Sequence, residues 1–268
     1  SLKTLTGTNN AYTIVISETS ASASDLNAIN GLTTATVDLT NVTSVTSSAL
    51  SDLDTLANAI NANPDQFINA TNLTTSAVSD SEIDITSSEA TIDTLDQIDS
   101  GSSIDMTMTS GATINVDASE VTAMLADEGA GRFTISDQNI TVTGEISVED
   151  ANKLNATTTG TITATIEQSS VASLTTLEGT NAYTITIQAS DTGITASQLT
   201  TISNATTVAV DASGVTGLAL DSISNIKTLL TAGNDSSQFT EDSFGLLAAV
   251  EVSDVTLSGS GQDKHNSS

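Results

Sequence analysis

The chain has 268 residues, and 33 Asp and Glu face 5 Lys and Arg, for a formal net charge of −28. A field of that sign repels phosphate backbones and anionic lipid surfaces, which excludes nucleic acid as a partner. Cysteine is absent, which removes disulfides, thiolate metal sites and thiol nucleophiles, and no stretch nears the ~20 apolar residues of a membrane helix, so no membrane insertion is expected.

The same composition argues for a folded chain. Hydrophobic residues make up 37% and are periodically placed, unlike those of a disordered acidic tail. The charge attracts cations and keeps a chain soluble in salt-rich water, which fits an extracellular, cell-surface setting. The opening Ser1-Leu2-Lys3 carries no Met, as expected of a processed product or a piece of something longer.

In chain order, the first expected strand is Tyr12–Ile16, alternating and β-branched, followed by a short helix over Ala23–Ile29. A strand over Thr34–Leu39 comes next. Where another strand would fall, residues 45–63 instead show Leu53, Leu56, Ala57 and Ile60 at helical spacing. Strands are then expected at Ile83–Thr86, Ile104–Thr109, Ile140–Thr143, Thr161–Ile166, Tyr183–Ile187, Thr207–Asp211 and near Val250–Leu257. Between them lie short helices at Ser87–Ile98, Ser119–Leu125, Ser147–Leu154, Ser169–Leu177 and Thr195–Ile202. Each opens with Ser or Thr, and several follow it with an acid or Gln, the signature of an N-cap. Residues 218–232 repeat the longer amphipathic pattern, with Ile223, Ile226, Leu229 and Leu230.

The chain repeats itself at two scales. Leu2 to Ile14 returns as Leu174 to Ile185, Ala23 to Ile29 returns as Ala196 to Ile202, and Gln66-Phe67 returns as Gln238-Phe239. The offset is about 172 residues, and strand centres inside it fall about 22 residues apart. One strand and one short helix per period predicts an α/β repeat, a solenoid-like stack of short parallel strands and short helices. Two tandem mixed α+β domains and an all-β solenoid are the alternatives. The expected organisation is a first copy over 1–170, a truncated second copy over 171–258 and a polar tail over 259–268.

The run Gly144-Glu-Ile-Ser-Val-Glu-Asp-Ala-Asn-Lys-Leu through Thr161-Ile-Thr-Ala-Thr-Ile166 resembles repeat units of giant cell-surface proteins of cyanobacteria, of the surface-layer and adhesin kind. Thr195 to Asp211 is a looser example. The resemblance implies surface-layer, adhesin or motility-associated roles, often in calcium-binding company, and brings no catalytic residues with it.

Several residue groups carry candidate chemistry. Asp80, Glu82 and Asp84 alternate, which places their carboxylates on one face, and Asp235, Glu241 and Asp242 crowd a loop. Asp93, Asp96 and Asp99 follow one helix edge. Calcium takes six to eight oxygen ligands in irregular geometry and is the cofactor such groups suit. Thr107-Met-Thr109, Thr141-Val-Thr143, Thr161-Ile-Thr163 and Thr184-Ile-Thr186 would suit an ice- or mineral-binding face if they stacked; otherwise they are solvent-side threonines of half-buried strands. Tyr12 and Tyr183, like Phe67 and Phe239, recur in the two copies and are expected in the core. The only histidine, His265, sits in the polar tail, far from any triad. These features predict a non-enzymatic, structural or adhesive protein that self-associates into a layer, rod or filament. Its expected partners are copies of itself, divalent cations and surface glycans. The alternatives are a fibre or appendage subunit that binds a host surface and, behind it, ice or mineral binding.

Overall fold

The computed structural model describes residues 10–62, 65–70, 75–78, 80, 82–85, 105–130, 133–188, 191, 193–241, 243–244 and 249–252. By internal contacts the chain divides into two compact units, Ser1–Thr165 and Ile166–Ser268.

The first unit is α/β. It runs β1 (Ile14–Val15), β2 (Ser20–Ser22), α1 (Ala23–Asn30), β3 (Val37–Asp38), β4 (Ser44–Ser48), α2 (Leu50–Ala62), β5 (Phe67–Ile68), β6 (Thr75–Val78) and β7 (Glu82–Ile85). It continues through β8 (Asp105–Thr107), β9 (Thr113–Asp117), a 3-10 turn (Ala118–Glu120), α3 (Val121–Gly129), β10 (Phe133–Thr134), β11 (Asn139–Ile146), α4 (Val148–Thr157) and β12 (Ile162–Ile166).

The strands form three interleaved sets. One has the order β1-β3-β5, the next β2-β4-β6-β8-β10, and in the third β7, β9, β11 and β12 lie side by side. Pairing is parallel from β1 to β3 to β5, from β2 through β10, and from β7 to β9 to β11. Each strand therefore meets the equivalent strand of the next segment, as in Ile14↔Val37 and Val37↔Phe67. Parallel neighbours need a crossover between them; α1 lies within the one from β1 to β3, α2 within that from β3 to β5 and α3 within that from β9 to β11. The registers align apolar rows: Ile83, Ile114 and Ile140 form one, Ile85, Val116 and Val142 another, and all are buried. Each such side chain contributes roughly 1.5–3 kcal/mol by leaving water.

The second unit carries α5 (Val171–Leu174), β13 (Ala182–Thr184), α6 (Ala196–Asn204), β14 (Gly217–Asp221), α7 (Ile223–Ala232) and β15 (Ala249–Val252). β14 and β15 pair in parallel, and isolated parallel bridges join Asn181 to Thr206, Thr186 to Asp211 and Val210 to Phe239.

Most of the helices are set by one apolar edge and one cap, although α3 has no side-chain cap hydrogen bond. Ala23, Leu26 and Ile29 are buried in α1, Val148, Ala151 and Leu154 in α4, and Ala196, Leu199 and Ile202 in α6. Ser22, Ser147, Ser170, Thr195 and Ser222 each accept the amide three residues on. Thr195 and Gln198 complete a capping box. A cap of this kind is worth about 1 kcal/mol, which a helix of two or three turns cannot spare.

Two expectations need correction. The segments hold two strands where one was expected, and the stretches read as strandless open with β4 and β14. Ser20–Ser22 and Ser44–Ser48 lack apolar alternation, and their strand state comes from parallel partners that local pattern does not reveal. Tyr12 is 41% exposed, not a core residue, whereas Tyr183, Phe67 and Phe239 are buried. The helix expected over Ser87–Ile98 lies outside the described residues.

Candidate functional surface

The residues expected to hold a cation sit in different settings. Asp80 Oδ2 accepts the Leu50 N–H at 2.6 Å, so it caps α2 from the following segment. Asp221 plays the same part for α6, accepting the Ser197 N–H at 2.8 Å. Burial pushes the Asp221 carboxyl up, but hydrogen bonds from Asn225, Ser197 and Ser222 outweigh it and leave the group below the usual carboxylate range. Glu82 and Asp84 are placed by their backbone on β7, in register with Thr113 and Asn115, while their side chains are outside the described residues. Asp235 accepts the Ser237 hydroxyl at 2.7 Å and amide at 2.9 Å, which holds its carboxyl below the ordinary range. Glu241 is exposed; Asp242, Asp93, Asp96 and Asp99 lie outside the described residues. Among the described residues, no group of three or more acidic or histidine side chains is placed to hold a metal ion.

The Thr-x-Thr pairs are spread over different strands. Thr107 belongs to β8, in the second strand set, and Thr184 to β13 of the second compact unit. Thr141 and Thr143 project from β11 opposite the buried Ile140 and Val142. Their neighbours on β9 are Asn115 and Asp117, so the outer rows mix threonine with amide and carboxylate.

A different threonine pair recurs in one form. It follows α1, α4 and α6 as Thr33-Thr34, Thr158-Thr159 and Thr206-Thr207. The first hydroxyl donates to a carbonyl of the preceding segment: Thr33 to Tyr12 at 2.6 Å, Thr158 to Gln138 at 2.7 Å, Thr206 to Tyr183 at 2.6 Å. The same oxygen accepts the amide two residues on, from Ala35, Gly160 and Val208 respectively, at 3.0 Å in each case. The second threonine donates its amide to Asn10, Ser136 and Asn181 carbonyls at 2.8–2.9 Å. Each pair thus stitches the end of a helix to the segment before it. At Gly160 the approach is so close that a Cβ would fall 2.1 Å from the Gln138 carbonyl oxygen. Sequence reasoning passed over these threonines as ordinary strand formers; the signal was a Thr-Thr dipeptide just after each helix.

Large apolar side chains left exposed among the described residues are Tyr12, Val15, Leu220, Ile223 and Leu230. Ile223, Ile226, Lys227 and Leu230 line a shallow groove along α7. A second, polar groove lies between α6 and α7, and its Thr200 and Thr231 hydroxyls donate to their own helix carbonyls. No helix among the described residues is long and apolar enough to cross a membrane. No family model matches the chain, and neither a curated protein nor a solved structure matches it.

Proposed function

We propose that the chain is an extracellular structural or adhesive protein, not an enzyme, whose strand–helix segments stack as a solenoid-like repeat and assemble into a surface layer, rod or filament. The observation that supports this best is the Thr-Thr stitch, present in both long-repeat copies with matching donors and acceptors. Segments bonded in this way contact mainly their neighbours, so length grows by adding segments without redesigning a core. The net charge of −28 opposes close approach of copies unless cations intervene. Divalent cations, bridging or neutralising acidic faces, are the partners that lift this repulsion.

Negative-stain electron microscopy with light scattering, in high salt with and without millimolar calcium, tests the reading. Ordered sheets or filaments that dissolve on chelation are expected. A monodisperse single chain under every condition would overturn assembly and leave a module that binds a host surface.

A further inference from the structure

The starts of α1 and α6 are held in the same way by different chemistry. Both helices open on alanine, Ala23 and Ala196, and each is tied to the strand of the segment that follows it. β4 ends on Ser48, whose hydroxyl oxygen accepts the Ala23 N–H at 2.9 Å. β14 ends on Asp221, whose Oδ2 accepts the Ser197 N–H at 2.8 Å. Ser48 and Asp221 are counterparts in the two long-repeat copies, each two residues ahead of the longer amphipathic helix, α2 or α7.

The amides of a helix's first turn have no carbonyl of their own helix to bond to, so an outside acceptor decides whether they are satisfied. In α6 the Thr195 hydroxyl takes the Gln198 amide, which leaves the Ser197 amide to Asp221. A serine hydroxyl such as that of Ser48 is neutral throughout the pH range of proteins. A carboxylate adds its charge to the bond, the positive end of the helix dipole favours that charge, and a proton removes it.

The surroundings of Asp221 favour its charged form. Its Oδ1 accepts the Asn225 side-chain amide at 2.6 Å and the Ser222 N–H at 2.7 Å, so one carboxylate joins the start of α6 to the start of α7. Burial pushes the carboxyl up, and the bonds from Asn225, Ser197 and Ser222 together outweigh it. Charged residues on the elements around it are few. α6 has none, α7 has Lys227, β15 has Glu251, and Asp191 lies in the loop before α6; none of them is a cause of the shift.

We infer that the joint between α6 and β14 is an acid-labile clasp, charged in the second copy and neutral at the matching place in the first, so that acid frees the start of α6 and leaves α1 held. The folded-state value lies below the ordinary 3.8, so the contribution of the clasp is complete above about pH 5 and is lost as pH falls below 3.8.

Amide hydrogen exchange, read residue by residue by NMR at about pH 6 and about pH 2.5, tests the clasp on the unaltered chain and on Asp221→Asn. Protection is taken relative to an unstructured peptide at each pH. The Ser197 amide should lose protection about fivefold or more between the two, and the Ala23 amide less than about twofold. In Asp221→Asn, Ser197 should show the low protection at both pH values. The Leu199 amide, which bonds the Thr195 carbonyl inside α6, shows that the helix itself persists in each sample. Protection at Ser197 that does not change with pH overturns the clasp, as does an equal loss at Ala23 or an unaltered response in Asp221→Asn. Loss at Leu199 together with Ser197 also overturns it, because the second unit would then open as a whole and not at this joint.

Discussion

Tyr12 and Tyr183 occupy the same place in the two long-repeat copies, yet their environments are opposite. Both carbonyls accept a threonine hydroxyl at 2.6 Å, from Thr33 and Thr206. Both strands then give a carbonyl two residues earlier, at Asn10 and Asn181, to the amide of the next threonine. The phenol rings diverge: Tyr183 is fully buried and its hydroxyl accepts from Asn181 at 3.2 Å, whereas Tyr12 is 41% exposed. Tyr183 follows α5, whose Val171 and Leu174 are buried with Leu177 in the same compact unit. No described element precedes Tyr12. The two copies thus share the backbone bonds that local sequence sets, while the burial of the ring differs between them.

The largest expected effect tests this difference directly. Tyr183→Ala should cost about 3–5 kcal/mol, the range for emptying a large aromatic site in a core. Tyr12→Ala should cost under about 1 kcal/mol, as for a mostly wet surface side chain. Urea unfolding midpoints of the two variants give the comparison. Equal losses would mean that Tyr12 is covered in solution.

A smaller effect concerns alkaline stability. Burial pushes the Tyr183 hydroxyl up from 10.0 to about 12, against a weaker downward pull from the Asn181 hydrogen bond. The native state therefore favours the protonated phenol more than the unfolded state does. That contribution is fully present below pH 10 and is lost as pH rises through about 12. The chain should weaken across this window, and Tyr183→Phe should flatten that loss. In Tyr12→Phe, Tyr183 is the lone tyrosine, and its near-ultraviolet phenolate signal should appear only near pH 12 or on unfolding. A signal that rises around pH 10 without unfolding would show that the ring is wet.

The helices were the most legible part of the sequence, because cap and apolar edge are both local. Ser147, Asp150, Ala151 and Leu154 announce α4, and Thr195, Gln198, Leu199 and Ile202 announce α6. The strands β2, β4 and β6 were not legible. Ser20-Ala21-Ser22 has no alternation of its own and is held by pairing with Ser44-Val45-Thr46. The acidic residues were hardest to read. Asp80 and Asp221 cap helices 30 and 24 residues away, so their use depends on which segment folds against them. Spacing within a short window cannot show that, and a cap was therefore indistinguishable from a candidate ligand.

The last and smallest effect separates the stitch from the ring it holds. Thr206 Oγ1 accepts the Tyr183 and Val208 amides at 3.0 Å and donates to the Tyr183 carbonyl, whereas Thr33 Oγ1 accepts from Ala35 and donates to Tyr12. Valine has the same shape and none of these bonds, so Thr206→Val leaves buried amides unpaired and should cost about 1–3 kcal/mol. Thr33→Val should cost less, about 1 kcal/mol, because fewer groups lose a partner. Serine at either place keeps the hydroxyl and should recover much of the loss, a readout that cavity formation alone would not give. If Thr33→Val proves neutral while Thr206→Val does not, the Tyr183 amide, which Thr206 takes up beside the shared bonds, carries the difference. The bond pattern would then be common to both copies, and its energy would belong to the second.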